Sequence, residues 1–179
     1  MRHTIKQGKH QDNRLFSSWP HLGRKSISRY VTFGESCRYT LPQYNSLDVN
    51  KLFGLSFGFF AVHENSARFG WRWNEQDQCI DLLAYCYVNG RRNWNEQMEF
   101  PLVAQVKLGQ KVRLTIEKCF QWSSGSSLPK YAFLAEDDGL IGCIRVVDTI
   151  SVPRYGLTHS LYFGGSQPAP HDIHIEIEK

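Results

Sequence analysis

Several absences narrow the chemistry before any residue is singled out. No apolar run in the 179 residues approaches the roughly 20 of a membrane span. The opening MRHTIKQGKHQDNR has no apolar centre of a secretory leader, which gives the expectation of a cytoplasmic protein without a membrane partner. Among five cysteines (Cys37, Cys79, Cys86, Cys119 and Cys143) there is no C-x-x-C pair, and most sit inside apolar runs. Buried free thiols follow as the plain reading, with one disulfide left open. G-x-S-x-G and a phosphate-cradling glycine loop are both missing, so hydrolases and nucleotide enzymes with local signatures lose support. Enzymes that draw acids and bases from separate strands leave no such trace. No long stretch carries a helical period.

What is present points to strands and turns: aromatics make up 13% and there are 14 glycines, while 41% hydrophobic and 21% charged residues are ordinary for a globular chain. The formal charge of +4 comes from 21 basic against 17 acidic residues. Much of the excess is Arg2, Lys6, Lys9, Arg14, Arg24, Lys25 and Arg29, interrupted only by Asp12. No basic stripe recurs farther on, so a nucleic-acid partner is not expected. Residues 1–26 read as a flexible basic lead-in and 27–179 as a single β-sandwich domain. Strands are expected near 27–33, 36–41, 51–62, 66–73, 79–88, 91–94, 101–106, 111–119, 130–135, 141–148, 159–163 and 172–178.

Alternation makes this more than a composition argument. Val112, Leu114 and Ile116 alternate with Arg113, Thr115 and Glu117, and Ile173, Ile175 and Ile177 alternate with Asp172, His174, Glu176 and Glu178. Each is a strand with one wet face. Asn89-Gly90 suits the positive φ angles of a type I′ turn and predicts a hairpin. Many short strands without crossover helices imply an all-β, two-sheet antiparallel sandwich of jelly-roll type, with a closed barrel as the alternative.

Strand parity then assigns faces in 63–89. Ala67, Phe69, Trp71 and Trp73 share the face expected in the core, and Ser66, Arg68, Gly70 and Arg72 share the other. On the next strand Ile80, Leu82, Ala84, Cys86 and Val88 oppose Asp81, Leu83, Tyr85, Tyr87 and Asn89. A hairpin through NEQDQ puts Arg68 and Arg72 beside Tyr85 and Tyr87. Guanidinium forks match carboxylates, and tyrosines offer flat surfaces with a polar tip, a pairing suited to an acidic or polyhydroxylated ligand such as a sugar. Ion pairing of the arginines with Asp81 or Glu75 is the purely structural counterpart.

Near the C-terminus, Gly164-Gly165 followed by Pro168 and Pro170 forms a stiff loop that either presents Tyr162, His159 or His171 or simply turns a corner. Asp172, His174 and Glu176 share a face at metal-ligand types, yet a polar outer strand face accounts for them equally; no metal and no cofactor are expected. Glu136-Asp137-Asp138-Gly139 lacks calcium-loop spacing and reads as a turn.

The strand order, the Arg- and Tyr-bearing face and the closing LYFGGSQPAPHDIHIEI resemble the concanavalin A-like lectin and glucanase jelly rolls over 27–179. NSARFGWRW and YFGGSQPAPHDI are also similar to short uncharacterised sandwich proteins of gut bacteria, a group that implies no activity. The jelly-roll resemblance implies carbohydrate binding along a groove bearing Arg68, Arg72, Tyr85, Tyr87 and Tyr162. Some members are polysaccharide lyases, which would make Arg68 or Arg72 the carboxylate neutraliser, His63 the base and Tyr162 the acid. The E-x-D-x-x-E of the hydrolase members is missing, and only RFGWR and Val62-His63 stand where lyases carry arginine-rich and Gln-x-His stretches. The sequence therefore reads as a non-catalytic binding sandwich. A lyase is the first alternative, and a structural or protein-interaction domain with an exposed patch of Leu83, Trp94 and Phe100 is the second.

Overall fold

The computed structural model describes residues 1–13, 18–42, 48–59, 62–94, 99–123, 126–147 and 154–179, without the side chains of 119–123, 126–130 and 145–147. Thirteen strands alternate with turns: β1 (Arg2–Ile5), β2 (Ser18–Leu22), β3 (Ser26–Phe33), β4 (Asn50–Phe57), β5 (Asn65–Asn74), β6 (Cys79–Val88), β7 (Arg91–Arg92), β8 (Leu102–Val106), β9 (Lys111–Ser123), β10 (Ser126–Glu136), β11 (Leu140–Val147), β12 (Tyr155–His159) and β13 (Ile173–Glu178). They form a six-stranded sheet ordered β1-β13-β3-β9-β10-β11 and a seven-stranded sheet ordered β2-β12-β4-β5-β6-β7, with β8 also on β6. Neighbours pair antiparallel throughout, giving the expected two-sheet sandwich, consistent with the jelly-roll type. Among the described residues no helix is long and apolar enough to cross a membrane.

The alternating sequences are what hold the sheets together. Val112, Leu114 and Ile116 of β9 and Ile173 and Ile175 of β13 are fully buried, facing Ala67, Phe69 and Trp71 of β5 across the core. Rings interlock there: Phe69 meets Phe133 edge to face at 5.1 Å, and Trp71 meets Phe33 at 5.5 Å. Each such side chain removed from water contributes roughly 1.5–3 kcal/mol. The hairpin at Asn89-Gly90 forms with φ of 53° and 73°, both central residues positive as a type I′ turn needs, and it registers Val88 with Arg91. Cys37, Cys79 and Cys86 are buried free thiols and Cys143 is a half-buried one; the Cys119 side chain lies outside the described residues.

Five expectations are corrected. The first 26 residues are not a loose lead-in: β1 pairs with β13 and β2 with β12, so both sheets gain a strand from this segment. These are edge strands whose ladders hold polar sequences in place without a long apolar stripe. Residues 36–41 hold no strand; a short 3-10 turn at Glu35–Cys37 buries Cys37 instead. The strand expected at 159–163 runs earlier, at β12, and the expected 51–62 ends at Phe57, with 60 and 61 outside the described residues. Leu83 and Phe100 form no exposed patch. They are 2% and 8% exposed, packed with Val49, Tyr85 and Tyr87, and a half-buried Trp94 closes over them.

At one corner β8 lies close against β11 of the other sheet. A Cβ built on Gly142 would come within 2.0 Å of the Val103 carbonyl oxygen, so only glycine permits this approach.

Candidate functional site

The outer face of the seven-stranded sheet carries a groove of about 790 Å³. Its floor follows from register: β5 sets Ser66 opposite Tyr87, Arg68 opposite Tyr85 and Arg72 opposite Asp81 of β6. Parity therefore placed all four of Arg68, Arg72, Tyr85 and Tyr87 on one surface, as the sequence implied. Tyr162 and His63 also line it, so every candidate ligand-binding residue and the candidate base share one concavity. His171 is directed elsewhere, its Nε2 donating to the Ser36 carbonyl at 2.8 Å.

The two arginines differ in state. Arg72 Nε donates to Asp81 Oδ2 at 3.1 Å, and its Nη1 is 3.9 Å from Glu99. Asp81 in turn accepts from Gln105 at 2.9 Å and Asn74 at 3.3 Å. Arg72 thus takes the purely structural role, in an ion pair with Asp81. Arg68 crosses β4 toward the chain beyond β12, where Nη2 donates to the Ser160 carbonyl at 3.2 Å. Its stem runs over Gly54, where a Cβ would meet Arg68 Cγ at 2.8 Å and the Ala67 carbonyl oxygen at 2.2 Å. No carboxylate partners it among the described residues, and its buried Nε has no hydrogen-bond partner. Burial pulls its pKa down to about 10, with Tyr85 and then Tyr162 pulling upward. Two residues back on the same face, the buried Ser66 Oγ is likewise unpartnered.

The tyrosines form the apolar bed. Tyr85 stacks on Phe100 at 4.2 Å and meets Tyr87 at 5.8 Å, and burial with the Tyr87 hydrogen bond raises its pKa. Arg92 donates from Nε to the Tyr87 hydroxyl at 2.9 Å and lies 4.6 Å over Trp94, so the rim adds an exposed cation. His63, exposed at the rim, meets the Tyr87 ring at 5.1 Å.

Sequence reasoning missed Lys51 and the wall contributed by the N-terminal segment, and it named His159 only as one of the side chains the C-terminal loop could present. A bulge between Lys51 and Gly54 breaks the alternation of KLFGLSF, hiding the fact that Lys51 lies opposite Gly70 on the groove face. Its Nζ stands 4.8 Å over Tyr85 and 5.7 Å over Tyr162. The single charged residue of β4 was the available signal. His159 Nε2 donates to Ser56 Oγ at 2.8 Å while Nδ1 accepts from Ser18 Oγ at 3.1 Å, and burial, then Arg68 and His21, push its pKa down to about 3. It is a neutral positioning ring. Tyr162 is fixed by paired backbone bonds with Lys51 (2.8 and 2.9 Å) and by stacking on His10 at 5.5 Å.

Gly164-Gly165 serves a close approach. Cβ atoms there would meet the Val49 carbonyl oxygen at 2.0 Å and the Asp48 carboxylate at 1.7 Å, and Gly165 has φ +74°. The acidic turn has Asp138 at φ 49° and closes the β10–β11 hairpin. Of the strand face tested for metal, Asp172 takes Lys6 at 2.7 Å and His174 Nδ1 lies 3.0 Å from Thr4 Oγ1. Among the described residues no three His, Cys, Asp or Glu side chains converge as a metal set would.

No family model matches the chain, and no curated protein matches it. Among solved structures the chain is similar to Scytalido-glutamic peptidase with a peptide-based transition-state analog, at 11% identity and a TM-score of 0.37, over 90% of this chain. The chain spans 63% of the length of that structure.

Proposed function

We propose that the groove binds an acidic, polyhydroxylated ligand, with a carboxylate-bearing sugar as the fitting class, and does so without transforming it. The observation that carries this reading is Arg68: a guanidinium enclosed on the groove floor, with no carboxylate beside it among the described residues and its Nε unpartnered. A buried cation in that state gains from any oxyanion that reaches it, because charge-assisted hydrogen bonds replace a desolvation cost already incurred. The tyrosines supply a flat bed for a sugar ring, and Ser66 Oγ offers a further polar contact.

Titration calorimetry with oligogalacturonate and its neutral methyl ester tests this. The acid is expected to bind at least tenfold tighter, and Arg68→Gln to erase that difference. Equal affinity for acid and ester would overturn the reading. The alternative, β-elimination on the same scaffold, draws on His63 and Tyr162 lining the groove that holds Arg68. His63 would take the proton next to the carboxylate and Tyr162 would protonate the leaving oxygen. Appearance of unsaturated sugar during the same titration favours elimination; binding without it favours the non-catalytic reading.

A further inference from the structure

Lys51 differs from the other cations of the groove in what its nitrogen meets. Arg72 ends on Asp81 and Glu99, and Arg92 on the Tyr87 hydroxyl. The Lys51 amine has no hydrogen-bond acceptor and no ion pair among the described residues; it is held over two aromatic rings instead. Its backbone N–H and carbonyl both pair with Tyr162, and the bare Gly164 leaves the space beside Nζ, where a Cβ would stand at 2.6 Å. Tyr85, whose ring lies under that amine, is the direct cross-strand partner of Arg68. An amine and a guanidinium, neither with a carboxylate partner among the described residues, therefore line the same groove.

We propose that Lys51 is a carbonyl-capturing residue, whose amine condenses reversibly with the aldehyde or keto group of an oxo-acid while Arg68 holds that acid's carboxylate. An open-chain uronic acid has both groups, and so does any small oxo-acid. The Nζ lone pair adds to the carbonyl carbon, and the displaced C=O pair takes up the proton leaving nitrogen to give a carbinolamine. Its hydroxyl then departs as water with the second nitrogen-bound proton, and the carbon–nitrogen double bond of an imine remains. Nothing is oxidised or reduced.

Capture needs a neutral amine, and the surroundings favour one. Burial first, then Arg68 of β5, bring Lys51 down to about 8, with Asp48 pulling upward and Arg92 of β7 downward again. An ordinary lysine titrates near 10.4, so at neutral pH this residue holds roughly two orders of magnitude more free amine. Desolvation beside a second cation is a recognised way to activate a lysine nucleophile.

This inference rests on the groove accepting acids but is tested apart from sugar binding. Glyoxylate, an aldehyde carrying a carboxylate, is incubated with the intact protein and sodium cyanoborohydride, and modified lysines are mapped by mass spectrometry. Lys51 is expected to be labelled at least tenfold faster than exposed Lys107 or Lys179, with a rate that saturates in glyoxylate and an inflection near pH 8. Propionaldehyde, which has no carboxylate, should label it without saturation, and Arg68→Gln should abolish saturation with glyoxylate. Labelling of Lys51 no faster than the exposed lysines, or equally well by both aldehydes, overturns the proposal whatever the variant does. Oligogalacturonate binding without Lys51 labelling removes carbonyl capture alone; labelling without oligogalacturonate binding removes the sugar reading alone.

Discussion

Arg68 and Arg72 leave the same face of β5 two pleats apart, and one is closed while the other is open. Arg72 is surrounded by Asp81, Glu99 and, through Asp81, by Gln105 and Asn74. Arg68 reaches a single backbone carbonyl and keeps an unpartnered Nε. The closed end is a network in which each charge has its counter-charge, so the fold itself consumes the interaction. At the open end a half-buried cation has a backbone carbonyl and no counter-charge among the described residues. Parity alone treats the two positions as equals; tertiary partners separate them.

The strongest way to break the contrast is at the closed end. Asp81→Ala leaves a guanidinium that is 18% exposed with Glu99 alone, at 3.9 Å, and takes the acceptor from Gln105 and Asn74; it should cost about 3 to 5 kcal/mol in a denaturant titration. Arg68→Met, at the open end, should stay within about 1 kcal/mol of the wild type, because only the long hydrogen bond to the Ser160 carbonyl is lost and no counter-charge is left behind. Equal losses at the two positions would erase the distinction. A smaller effect, about 1 to 3 kcal/mol, is expected of Gly54→Ala, whose new methyl group collides with the Ala67 carbonyl and the Arg68 stem. That variant should also weaken oligogalacturonate binding at least tenfold, since Arg68 must shift to make room. Unchanged binding would detach the guanidinium's position from the ligand.

The subtlest test is pH. His159 titrates at about 3 in the folded protein against 6.5 for a free ring, so the unfolded chain holds the extra proton between those values. Its contribution to stability is full above pH 6.5 and is lost as pH falls toward 3. Lys51, at about 8 folded against 10.5 unfolded, acts at the other extreme: the unfolded chain again holds more protons, and stability rises with pH across that window. His159→Gln should flatten the acid limb of a midpoint-against-pH curve and leave the alkaline limb alone. An unaltered acid limb would show that the ring is not shielded by its serines and Arg68.

Much of the floor of the groove was legible because β5 and β6 pair without a register shift, from Asn65 opposite Val88 to Asn74 opposite Cys79, so a side chain's face follows from counting. The I′ turn at Asn89-Gly90 was legible from two residues for the same kind of reason: few side chains accept those angles. Lys51 was hidden because a bulge shifts the count within β4, and no composition signal marks a bulge. The N-terminal strands were hidden because an edge strand needs only a partner's free ladder, and His3, Thr4 and Ile5 obtain theirs from β13, which is distant in sequence. The burial of Leu83 and Phe100 depended on what closes over an outer face, a long-range fact that strand parity does not contain.

The tight corner at Gly142 ties the groove to the far sheet. Val103 of β8 is pinned there, and the same strand is preceded at once by Phe100, stacked under Tyr85, and by Glu99 beside Arg72. A single methyl group added at Gly142 would push on the strand that feeds the groove wall, moving a ring and a carboxylate that it does not touch. Glycine at position 142 is thus a condition on the groove wall set from the opposite side of the sandwich, at a residue outside the groove lining.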